Sequence, residues 1–129
     1  MLPSKVIVAG VTYTIEEKEY VEINDNANAL GSCTYDKALI EVKSTMSDER
    51  KEEVFVHELF HAILNEAGFD GHDEDLVNRA SKVLYQVMKD NPNMLNSIGD
   101  VKQVVINQSL TSQDIQQLMK HAALEVIKP

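Results

Sequence analysis

The chain has 129 residues, enough for one ordinary domain and short for two, and its 43% hydrophobic and 26% charged residues suit a globular core under a charged surface. A net charge of −9 excludes the basic face that nucleic acid or an anionic membrane requires. No apolar run approaches the ~20 residues of a membrane span, and "MLPSKVIVAG" lacks the apolar core and cleavage site of a signal peptide.

The first 43 residues read as short strands. "KVIVAGVTYTIEE" holds two β-branched runs around Ala9-Gly10, which predicts a hairpin turning there. "EYVEIN" alternates Tyr20, Val21 and Ile23 with acids, the pattern of another strand, while "NDNANALG" has loop chemistry. "SCTYDKALIEVK" predicts two strands around Asp36-Lys37, the second carrying Leu39, Ile40 and Val42. Cys33 is the lone cysteine, so an intramolecular disulfide is excluded and a reducing cytoplasm is the expected location.

At Ser47 the pattern changes. Ser47 is a good N-cap, Asp48 and Glu49 suit the first turn, and no Gly or Pro follows before Gly68. One long helix ending at Gly68 is therefore expected. A second helix follows "DGHDED", with Asp73 as candidate cap and Leu76, Val77, Ala80, Val83, Leu84 and Val87 as its apolar face, until Asn91-Pro92 stops it. The tail predicts a strand near 101–106 and a helix capped at Thr111 or Ser112. The expected organisation is one α+β domain over 1–92, with 93–129 a strand-helix extension packed on it.

The chemistry concentrates in "VFVHELFHAI", residues 54–63. His57 and His61 are four apart, so both imidazoles lie on one helix face and can share a metal ion. Glu58 lies about 100° round the helix, beside the position of a water polarised by that metal, which is the general-base place in H-E-x-x-H zinc hydrolases. Val54, Phe55, Val56, Leu59, Phe60, Ala62, Ile63 and Leu64 surround the triplet, so the helix should be central. Buried imidazoles and a buried carboxylate without partners would each cost on the order of a few kcal/mol, and a metal with its water satisfies all three.

A catalytic zinc needs a third protein ligand. The start of the second helix offers His72, Asp73, Glu74 and Asp75. A metzincin continuation is excluded, because the position six beyond His61 is Ala67. Asn78 is a candidate hydrogen-bond partner for a ligating histidine. Tyr85 is a candidate oxyanion donor, although a half-buried core tyrosine is the commoner case.

H-E-x-x-H on one helix, followed on the next by Glu74, Val77, Asn78 and Ala80, resembles the ImmA/IrrE-type gluzincin metallopeptidases, a family common in phages and mobile elements. "GSCTYDKALIEV", leading into the motif helix, is similar to that family too, and the resemblance covers roughly residues 30–90. It implies a minimal zincin-like fold: a small antiparallel sheet packed on a central motif helix and a second, ligand-bearing helix. It also implies Zn2+ held by His57, His61 and Glu74, with Glu58 as general base, and a peptide or protein substrate.

The strand around 39–43 is the candidate edge on which an extended peptide would pair. Residues 44–75 hold ten Asp or Glu against Arg50 and Lys51, a field that favours metal capture. The alternative is a non-catalytic, metal-stabilised interaction module. That reading leaves Glu58 without a purpose, and closed structural sites usually take four protein ligands, often cysteines.

Overall fold

The structure, a computed structural model, describes residues 1–98, so the expected strand near 101–106 and the helix after it lie outside the described residues. The chain divides after Asp90. The first unit carries β1 Lys5–Val8, β2 Val11–Lys18, β3 Val21–Ile23, β4 Asn26–Ala29, β5 Gly31–Thr34, β6 Leu39–Lys43, α1 Asp48–Glu66 and α2 Glu74–Asp90. A short helix, α3 Met94–Ile98, follows Asn91-Pro92. The architecture is α+β, and among the described residues no helix is long and apolar enough to cross a membrane.

The first hairpin forms where expected. Ala9 (φ 50°) and Gly10 (φ 84°) both take left-handed backbone, the requirement of a two-residue turn whose twist matches the strands it joins. β2 then supplies Tyr13 and Ile15 to one face, and β6 supplies Ile40 and Val42. Period-two alternation therefore places these four side chains on the same side, where α1 covers them with Phe55, Val56 and Ala62.

Three expectations need correction: the wholly antiparallel sheet, the edge position of residues 39–43, and the loop at "NDNANALG". The sheet is mixed, in the order β1-β2-β6-β5, with β2 and β6 parallel in register Thr14↔Leu39 to Lys18↔Lys43. After β2 the chain forms β3, β4 and β5 before β6 returns alongside β2, so the second hairpin inserts with β6 inward. Residues 39–43 are consequently interior, and the edge strand beside α1, unpaired on its outer side among the described residues, is β5. "NDNANALG" is also more than a loop. Asn24 (φ 49°) and Asp25 (φ 65°) make a left-handed turn between β3 and β4, which pair as a separate two-stranded sheet.

Helix α1 starts at the expected cap, where the Arg50 N–H donates to Ser47 Oγ (3.3 Å). Helix α2 buries Val77, Ser81 and Tyr85, a stripe four residues apart. Leu76 and Val83 are exposed instead (54% and 63%). The buried stripe is narrow and rotated from the apolar face because α2 packs on one helix, α1, rather than across a layer.

Candidate metal centre

Helix α1 lies over the sheet with Phe55, Val56 and Ala62 toward the core, which turns His57, Glu58 and His61 toward β5 and α2. Glu58 and His61 are each only 8% exposed, while His57 is half-buried. Two glycines then reverse the chain. Gly68 (φ 97°) ends α1, with the Phe69 N–H donating to the Leu64 carbonyl (3.0 Å), and Gly71 (φ 63°) turns the segment toward α2. Asp73 caps α2: its Oδ1 accepts from the Asp75 N–H (3.0 Å) and its carbonyl from the Val77 N–H (3.0 Å). Glu74, the first residue of α2, thereby faces the two histidines.

Its carboxylate spans them. Glu74 Oε1 lies 2.8 Å from His61 Nε2, and Oε2 lies 3.5 Å from His57 Nε2. One donor atom from each of His57, His61 and Glu74 lies within 4.8 Å of the others, so the group can hold a metal ion. The remaining candidates are engaged elsewhere. Asp73 serves the helix cap, Asp75 pairs with Arg79 (3.6 Å), and His72 bonds the far side of the His61 ring, Nδ1 to Nδ1 at 2.8 Å.

Burial sets the protonation states. It pushes the Glu58 carboxyl up to about 7, with the charge of Glu74 acting in the same direction. Burial also holds His61 below the usual imidazole range, against the opposing pull of Glu74, so a neutral, ligating ring is favoured. Cys33 is pushed up to about 12 by burial and by the charges of Glu58 and Glu66. Its sulfur stays a thiol, unsuited to nucleophilic attack.

Two cavities meet at this cluster. One, about 550 Å³, is lined by Arg50, Val54, Asn78 and Lys82, and the other, about 520 Å³, by Glu22, Thr34, Tyr35 and Glu74. Gly31, His57 and Glu58 line both. Tyr85 is elsewhere: it belongs to the core, and its hydroxyl donates to Glu52 (3.0 Å). The tyrosine in the cleft is Tyr35, which sequence reasoning missed although it follows β5 directly. Asn78 lines a cavity wall, and the partner of a site imidazole is His72.

Gly31 was also unmarked in the sequence. A Cβ there would fall 2.6 Å from Val54 Cγ1, 3.2 Å from the Glu41 carbonyl and 3.2 Å from Glu58 Cγ. The bare backbone lets β5 approach α1 at the position of Glu58. Gly31→Ala is therefore expected to destabilise the protein by about 1–3 kcal/mol, read as a lower urea midpoint. An unchanged midpoint would mean that the contact relaxes freely.

Compared with protein-family models, with curated proteins and with solved structures, the chain matches none.

Proposed function

We propose that this chain is a zinc-dependent peptidase of the H-E-x-x-H type, working in a minimal zincin-like arrangement. The observation that carries the reading is the convergence of His57, His61 and Glu74 beside a buried Glu58, where two cavities meet. Two imidazoles and one carboxylate form the His2Glu donor set that catalytic zinc takes while leaving one position open. When bound, Zn2+ supplies Lewis acidity, lowering the pKa of water toward neutrality and polarising a carbonyl.

The chain's own residues do the rest. Glu58, with its carboxyl near 7, is matched to taking a proton from the attacking water and returning it to the leaving amine. The edge strand β5, unpaired on its outer side among the described residues, lines the same cleft, and its backbone groups suit an extended peptide added as a further strand. Peptide is favoured over nucleic acid because the chain is strongly acidic. The reading agrees with the resemblance to ImmA/IrrE-type peptidases, whose phage-associated setting is proposed with it, and the lone Cys33 is the ground for proposing a reducing cytoplasm.

The test is zinc stoichiometry together with cleavage. The purified chain, saturated with Zn2+ and desalted, should retain one equivalent and cut members of an unstructured peptide library, and chelation should stop the cutting. Retention well below one equivalent overturns the metal centre. One full equivalent without cleavage of any library member overturns the peptidase and favours the metal-stabilised module.

A further inference from the structure

His72 stands outside the donor group yet touches it. It follows Gly71 and precedes the cap of α2, and three contacts define its state. Nε2 lies 3.0 Å from the Phe69 carbonyl oxygen. Nδ1 lies 2.8 Å from Nδ1 of His61 and 3.5 Å from the Tyr35 hydroxyl. The His61 and His72 rings are nearly parallel, 19° apart with centroids at 5.0 Å.

A backbone carbonyl can only accept, so Nε2 of His72 carries the hydrogen. In the neutral ring Nδ1 then presents a lone pair, which accepts from the Nδ1–H of His61. With its hydrogen on Nδ1, the neutral His61 ring keeps its other lone pair on Nε2, the nitrogen 2.8 Å from Glu74 Oε1. Two acceptors at that distance repel unless a cation joins them. The tautomer selected at the Phe69 carbonyl is therefore the one that a metal at His57, His61 and Glu74 requires.

We propose that His72 is a positioning residue for the metal centre: anchored on the Phe69 carbonyl, it fixes the tautomer and ring orientation of His61 so that Nε2 faces the metal. This role rests on the metal-centre reading above. It differs from ligation by His72, because both of its nitrogens are engaged, one on the carbonyl and the other on the side of His61 turned away from Glu74. Partners of this kind orient a ligand and raise its basicity, and their loss commonly lowers metal affinity about 10–100-fold.

The test compares wild type with His72→Phe, His72→Gln and Glu74→Ala, each checked by circular dichroism for unchanged folding. Zinc affinity is measured by chelator competition, and the His61 Nδ1–H by proton NMR of the zinc-loaded protein. His72→Phe should bind zinc about 10–100-fold more weakly and lose the slowly exchanging Nδ1–H signal. His72→Gln, whose amide oxygen still accepts, should recover most of both.

Tight binding with the Nδ1–H signal intact in His72→Phe overturns the role of His72 alone. Equal loss in the Gln and Phe variants makes the contact one of packing and also overturns it. Abolished binding in His72→Phe with retention in Glu74→Ala makes His72 a ligand instead. A wild type that fails to bind zinc overturns the metal centre first, and this role with it.

Discussion

Glu58→Gln is expected to lower turnover of a cleaved peptide by about 10²–10⁴-fold while zinc content stays at the wild-type level. The amide keeps the size of the side chain but cannot take a proton from water, so binding and chemistry separate. Wild-type turnover in this variant would remove Glu58 from the mechanism.

The same substitution should stabilise the protein once zinc is chelated. In the folded chain the Glu58 carboxyl is raised to about 7, from 4.5, by burial and then by Glu74. Below pH 4.5 it is protonated both folded and unfolded, and its contribution is fully present. As pH rises toward and through 7 the unfolded chain ionises first, and that stability is lost, on the order of 3 kcal/mol. Urea melts in chelator should therefore converge for the two proteins at pH 4 and diverge at pH 8, with the Gln variant more stable. Parallel melts across that range would mean that the buried carboxyl is better solvated than its 8% exposure implies.

His61→Ala is the second large effect. It removes the most buried donor of the group, and with it the nitrogen closest to Glu74. At a zinc concentration 100 times Kd, wild type should gain about 2.7 kcal/mol from the ion and the variant none. Thermal melts with and without zinc read this directly. For a unit of this size the wild-type midpoint should rise by roughly 10–20 °C, while the variant's stays fixed. Glu74→Ala should fall between the two, since both imidazoles remain. A zinc-dependent shift in His61→Ala equal to that of wild type would place the ion elsewhere.

How far the sequence foretold all this depended on the range of the interactions involved. Helix α1 was legible at both ends because Ser47 and Gly68 act on their immediate neighbours. The hairpin at Ala9-Gly10 was legible for the same reason. The pairing of β2 with β6 was not, because nothing local says which strand of the second hairpin turns inward. The β3–β4 hairpin was hidden by composition: Asn and Ala favour strands weakly, so "NANA" read as loop while Asn24-Asp25 was in fact its turn.

The site divided in the same way. His57, Glu58 and His61 follow from spacing on one helix. Glu74 was one of four candidates until the backbone at Gly68 and Gly71 directed α2. His72 was weighed only as a ligand, since its bond to the far nitrogen of His61 depends on how the loop folds back.

Gly31 bears on selectivity. Where β5 meets α1, the strand contributes no side chain at Gly31, so its main chain packs directly on the Val54 and Glu58 side chains of the helix, and these set the spacing between strand and site. On the proposed reading, a peptide docked along β5 would be held by its own backbone at a depth independent of which residues flank the bond to be cut. Discrimination among sequences would then arise to either side, in the Arg50–Lys82 cavity and the Glu22–Tyr35 cavity. Gly31 would act as a gauge, and the two walls as the reader.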